Sequence, residues 1–151
     1  MMKQLGIDAS NICDGGGLRH LVELLHAAKP VTHGFEKIYV WAPSAILAQI
    51  KEKPWIMKCS DPLLEQHYLQ RVFWQRKRLS QLLKFEKCDL LFVLGGSFAT
   101  DFRPVVTMNQ NLLPFEWREL LRFGLSRQTL RLMLLRFSQS RSLNNADGSV
   151  F

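Results

Sequence analysis

Cysteine is scarce in this chain: Cys13, Cys59 and Cys88 are the only three, widely separated and without a CxxC spacing. That excludes the usual zinc and dithiol-redox patterns and leaves buried free thiols as the expectation. No stretch approaches the ~18 apolar residues of a membrane span. The opening MMKQLGIDAS also lacks the apolar run of a signal peptide, so the expected location is the cytoplasm, with any membrane contact peripheral and at the inner face. Repeats and low-complexity segments are missing too. Carboxylates thin out toward the C-terminus. From Arg103 to Arg141, seven arginines (103, 118, 122, 127, 131, 136 and 141) stand against Glu116 and Glu119, so most of the net charge of +7 is C-terminal.

What is present is a chain of 151 residues, 47% hydrophobic and 22% charged, which suits one globular domain with a buried core. Strand and helix patterns alternate along it. KQLGIDA (3–9) reads as a buried strand. After the glycines, Leu18, Leu21, Val22, Leu25 and Ala28 recur at the helical period, and Lys29-Pro30 ends that helix. KIYVWA (37–42) is a second strand, followed by a short helix from Pro43-Ser44 to about Glu52. WIMKC (55–59) is a third. Asp61 as cap and Pro62 in the first turn predict one long basic helix to about Lys87. DLLFVLGG (89–96) and RPVVTMNQN (103–111) are further strands. Then come Pro114, a helical stretch interrupted at Gly124, a second helix to about Leu143, and a last strand near Gly148.

Strands separated by helices predict an α/β fold: a doubly wound, mainly parallel sheet with helices on both faces, Rossmann-like. Ligands of such sheets bind beyond the carboxyl ends of the strands, where strand order reverses. Three loops follow strands and are candidates: 10–17, 95–98 and 109–114.

The first of these holds Gly15, Gly16 and Gly17. A glycine turn between a strand and a helix presents free N–H groups and the positive end of the helix dipole to an anion, usually a phosphate. The other reading is a tight turn with close helix packing, and Asp14 beside the turn would repel phosphate unless it caps the helix or binds a hydroxyl. The dinucleotide fingerprint fails, because His20 stands where the third glycine belongs and the second strand ends Trp41-Ala42-Pro43 instead of in a carboxylate. With no G-K-[ST], a P-loop NTPase is excluded as well.

Three ordered segments, GGGLRHLVELL (15–25), FWQRKRLSQLLKFEKCDLLFVLGG (73–96) and PVVTMNQNLLPFE (104–116), resemble the N-terminal, acceptor-side domain of retaining GT-B glycosyltransferases of family 4. The resemblance implies an enzyme of two Rossmann-like domains facing across a cleft. The nucleotide-sugar, a co-substrate, is held mainly by the C-terminal domain and a sugar or lipid-linked acceptor mainly by this one, without a metal or cofactor. It implies that Gly15, Gly16 and Gly17 approach the donor diphosphate. It matches His20 to a frequent histidine one turn into that helix, where local packing is the other reading, and Gly95 and Gly96 to glycines whose backbone approaches the cleft or simply turns. Where many relatives carry a histidine that touches the donor sugar, this chain has Gln110, between Asn109 and Asn111. Glutamine can hydrogen-bond sugar hydroxyls but cannot shuttle a proton, so binding is expected there and no catalytic acid or base is assigned. These three amides could instead satisfy a loop backbone. Glu116 and Trp117 are expected on the acceptor side, with a helix-terminal role the alternative for Glu116.

The family's C-terminal E-x7-E pair is absent, and the sequence stops at SVF within a strand pattern. The expectation is therefore a single domain over 1–151, the front part of a two-domain enzyme and inactive alone. A reading from another class also stands: Arg118 with Arg122, and Arg127 with Arg131, share helix faces, which suits an anionic membrane surface or nonspecific nucleic acid. Interleaved Leu130, Leu132, Met133, Leu134, Leu135 and Phe137 read as core and interface packing, and no nucleic-acid motif is present.

Overall fold

The computed structural model of the chain describes residues 1–109, 116 and 126–150. Its strands are β1 (Lys3–Asp8), β2 (Phe35–Trp41), β3 (Ile56–Cys59), β4 (Leu90–Leu94), β5 (Val105–Met108) and β6 (Gly148–Val150). All pairings are parallel, in the order β3-β2-β1-β4-β5-β6, which is the doubly wound, Rossmann-like α/β arrangement. The order runs outward from β1 to β3 on one side and from β4 to β6 on the other. The switch point therefore lies between the tips of β1 and β4.

Because successive strand residues face opposite sides, each strand feeds two cores. Ile7, Ile38, Val40 and Leu94 pack on one face with Leu21 and Leu25 of helix α1 (Gly15–Ala27) and Ile46 and Leu47 of the short helix α2 (Ser44–Leu47). On the other face Tyr39, Trp41, Leu91, Val93 and Val105 meet Trp74, Leu79 and Leu83. The predicted stripe on α1 holds: Leu21 and Leu25 are buried, and Leu18 and Val22 are half-buried.

The second face departs from the single long helix expected over 62–87. Asp61 does cap, its carboxylate accepting from the Leu63 N–H at 3.0 Å while pairing with Arg78 at 2.8 Å, but the helix it starts is one 3-10 turn, Pro62–Glu65. The chain restarts with His67 and Gln70 forming a capping box for helix α3 (Tyr68–Trp74), widens into a π turn (Gln75–Leu79) and returns to helix α4 (Ser80–Phe85). A π turn adds one residue per turn and so rotates the residues beyond it about the helix axis, and here it keeps Trp74, Gln75 and Leu79 all facing inward. Helix α2 also stops sooner than expected, at Leu47.

Helix α5 (Arg127–Asn145), capped by Ser126, leads into β6. Of its six apolar residues expected to pack, only Leu132 is buried; Leu130, Met133, Leu134 and Phe137 lie exposed along one stripe, and Leu135 is half-buried. Cysteine burial is likewise corrected: the thiols are free, but Cys13 is exposed, Cys59 half-buried and only Cys88 buried. No described helix is long and apolar enough to cross a membrane. The helical stretch expected between Pro114 and Gly124, with Arg118 and Arg122, lies outside the described residues.

Close packing of α4 on β1 depends on Gly6. A methyl group there would overlap the fully buried Leu83 and stand 3.2 Å from the Trp41 ring. Gly6→Ala is expected to lower stability by about 1–3 kcal/mol, the range for overpacked cores, read as a lower urea midpoint with an unchanged slope.

Candidate functional site

The loops after β1 and β4 and the first residue after β5, Asn109, meet at the carboxyl edge of the sheet. A hollow of about 160 Å³ opens there, walled by Gly17 at the start of α1, Gly95 after β4, Asn109 after β5 and Gln139 of α5, over Ile12 and Leu94. Described residues of the three loops that the sequence singled out, Ile12 and Gly17, Gly95, and Asn109, thus converge, and α5 closes the ring. Hydrogen bonds fix that closure. Asn109 Nδ2 donates to Gln139 Oε1 at 3.4 Å, the Phe98 N–H donates to Ser142 Oγ at 3.0 Å, and Ser138 Oγ donates to Ser97 Oγ at 3.2 Å.

The three glycines of the first loop separate by physical role. Gly15 has φ +70°, a left-handed conformation that explains glycine by itself. Gly16 and Gly17 have no such need. A Cβ on Gly16 would meet no described atom within 4 Å, and one on Gly17 would make ordinary contact with Ile12 at 3.9 Å. Neither conformation nor packing against the described residues accounts for those two positions, and both sit at the dipole-positive end of a 13-residue helix. Asp14 is extended and exposed, and its side chain makes no capping hydrogen bond with the described residues, so its charge stands beside the turn.

The glycine pair after β4 also divides. Gly95, at φ +105°, is exposed and lines the hollow; Gly96, at φ +76°, is buried, and a Cβ there would press on the Asn109 side chain at 3.2 Å. Asn109 itself is buried as part of the wall. His20 is half-buried on α1, with Nε2 lacking a hydrogen-bond partner among the described residues, and it is not among the residues that line the hollow. Glu116 is exposed. Gln110, Asn111 and Trp117 lie outside the described residues. No three His, Cys, Asp or Glu side chains cluster as a metal site would need among the described residues.

Sequence reasoning missed a buried polar group behind the first loop. Asp8, at the tip of β1, accepts from the Ser10 N–H at 2.9 Å and from Gln75 Nε2 at 2.6 Å, and Gln75 also donates to Ser10 Oγ at 3.1 Å. Arg71 completes the arrangement by donating to the Ser10 carbonyl at 3.2 Å. The signal for Asp8 was a carboxylate directly after the apolar Leu5-Gly6-Ile7 stretch of the strand. Gln75 gave none, because only the π turn carries it inward. Burial raises the Asp8 pKa above its ordinary 3.8, against the lowering effect of the Ser10 and Gln75 hydrogen bonds. Thiol chemistry is disfavoured at the two less exposed cysteines: burial and the nearby Glu86 charge push Cys59 up to about 11 and Cys88 to about 12.

Searches of family models, curated proteins and solved structures returned no match to this chain.

A raised carboxyl pKa in the folded state means that the folded chain holds the proton more tightly than the unfolded one. The Asp8 contribution to stability is thus full below pH 3.8 and is lost as pH rises through the elevated folded value. In urea unfolding at a series of pH values, the stability of the natural chain relative to Asp8→Asn should fall as pH rises above 3.8 and then level off. A difference that grew with pH would show the carboxylate to be favoured by its surroundings instead.

Proposed function

We propose that this chain is the N-terminal, acceptor-side domain of a retaining GT-B glycosyltransferase, in which the turn at Gly15, Gly16 and Gly17 lies against the diphosphate of a nucleotide-sugar donor. The reading rests on the three-segment resemblance of the sequence together with one geometric observation. Gly16 and Gly17 are bare where neither backbone conformation nor packing against the described residues requires it, and Gly17 borders a hollow shared with Gly95 and Asn109.

In sugar transfer with retention, the sugar–phosphate bond breaks as positive charge builds on the anomeric carbon and negative charge on the departing diphosphate. Main-chain N–H groups at a helix start are suited to that developing charge, since they are preorganised and a missing side chain lets them approach closely. Asn109 serves this arrangement by holding the wall to Gln139. The catalytic acid or base, if the reaction uses one from this domain, is not among Gly15–Gly17, Gly95 or Asn109, none of which titrates in the working range. An acceptor approaching over this domain would complete the transfer, with a second domain supplying most of the donor contacts. The same fold-level logic makes Gln110 and Asn111 hydrogen-bonding partners of sugar hydroxyls, and Glu116 and Trp117 acceptor contacts.

The substitution that tests the turn is Gly16→Val, because a Cβ at that position would meet no described atom within 4 Å. Titration with UDP, GDP and ADP, followed by calorimetry or amide shifts, should show binding of at least one nucleotide that Gly16→Val weakens about tenfold, on the order of 1.4 kcal/mol. Equal affinity in the variant would reduce the glycines to turn formers.

Asp14 supplies a check of opposite sign. With its carboxylate beside the turn and uncapped, Asp14→Asn should tighten the same nucleotide by roughly two- to threefold at low salt and by less as salt rises. An unchanged or weaker affinity would place the diphosphate elsewhere.

A further inference from the structure

On the opposite side of the loop after β4, a second and larger cleft of about 550 Å³ runs between α3 and α5. Three arginines line it: Arg76 from the π turn, Arg103 before β5 and Arg141 from α5. Arg103 is already held in place, donating to the Phe102 carbonyl at 2.7 Å, standing over the Phe98 ring at 5.6 Å and lying 3.8 Å from the Asp147 carboxylate. Arg76 and Arg141 are exposed and make no ion pair or hydrogen bond with the described residues. No carboxylate is among the described residues lining the cleft.

Cations gathered on concave walls repel one another and focus a positive potential into the space between them. Surface arginines elsewhere on α5, such as Arg127 and Arg131, point into solvent without that convergence. Guanidinium groups offer paired N–H donors in a plane, which matches the oxygens of a phosphate better than it matches a monatomic anion or a single hydroxyl. The Ser97 hydroxyl, which accepts from Ser138 Oγ, keeps its own hydrogen as a neutral donor at the same wall. The rim is apolar: Tyr68, Leu69 and Phe137 are 57%, 78% and 70% exposed. Such a rim accommodates an apolar group attached to the anion.

From this convergence we infer that the cleft between α3 and α5 is a phosphate-binding site, formed by Arg76 and Arg141 with Arg103 behind them and separate from the glycine turn. The phosphate belongs either to a soluble phosphorylated compound or to a lipid headgroup, and the apolar rim serves the second source. The site does not depend on the glycosyltransferase reading, because none of its residues lies in the glycine turn.

The test uses the whole chain and two probes. Inorganic pyrophosphate is titrated by calorimetry, and phosphatidylcholine vesicles with or without phosphatidic acid are used in flotation. Arg76→Ala and Arg141→Ala, both at exposed positions, are each expected to weaken binding about tenfold, as loss of a charge-assisted pair would, whereas Arg127→Ala leaves it within about twofold. Pyrophosphate binding with this pattern identifies a soluble ligand. Flotation only with phosphatidic acid, with the same arginine pattern and a loss in Phe137→Ser, identifies a headgroup. Binding of neither probe, or equal losses from Arg127→Ala and Arg76→Ala, would overturn the assignment and leave a diffuse basic surface.

Discussion

The reversal of strand order between β1 and β4 is the constraint on which the rest of the molecule depends. Parallel strands need crossovers, and a sheet that grows outward in both directions from its centre sends the loops after β1 and β4 apart toward opposite faces. The space they vacate cannot be filled by either connection. What occupies its edges is decided by residues with little or no side chain: Gly17 on one bank and Gly95 on the other, with Asn109 one strand further along. The same reversal places α1 and α2 over one core and the run from α3 to α4 over the other, so the two hollows at the carboxyl edge have walls of different origin.

Holding that edge still is the role of a costly piece of chemistry. Asp8 is a carboxyl group sealed at a strand tip, where desolvation opposes its ionised form, and its hydrogen-bond partners are Ser10 and Gln75, with no cation bonded to it among the described residues. Gln75 reaches it only because α3 gives way to a π turn. The hydrogen bonds therefore tie the crossover helix to the start of the glycine loop, and Arg71, bonded to the Ser10 carbonyl, repeats the tie one turn earlier. A loop anchored at Asp8, Ser10 and the Ser10 carbonyl leaves the glycine turn as its free end, the part that a ligand would meet.

Much of this was legible beforehand because it follows from local periodicity. The alternation of Ile38, Tyr39, Val40 and Trp41 between two cores, the stripe on α1 and the glycines ending β4 are all near-neighbour patterns, and each predicted strand has its counterpart. The failures share a cause. Asp61-Pro62 carries every local mark of a helix start, and a cap does form there, yet the length of the helix is set by tertiary demands at Trp74, Gln75 and Leu79, which no spacing rule encodes. For the apolar residues of α5, core packing holds only at Leu132, for the reverse reason, and the expected interface packing is untouched by this. Their spacing at 130, 133, 134 and 137 is a proper helical stripe, but periodicity reports that a face exists and not that the described chain covers it. At the site, the glycine loops could be named in advance, whereas Gln139 and the cleft arginines come together only through the placement of α5.

The two hollows offer unlike chemistry at close quarters, and the chain connects them through adjacent residues: Ile12 lines the hollow by the glycine turn, and Asn11 lines the arginine cleft. Gly95 and Ser97 repeat that division after β4. Bare amides at a helix start attract an anion only at short range, through directed N–H groups, while guanidinium groups act over roughly a Debye length of about 8–10 Å. On the proposals made above, discrimination by shape would belong to the glycine side and capture by charge to the arginine side. Because residues 10–13 and 95–98 belong to both, displacement of either segment must alter the two together. Changes confined to the exposed faces of α1 or α5 act on one alone.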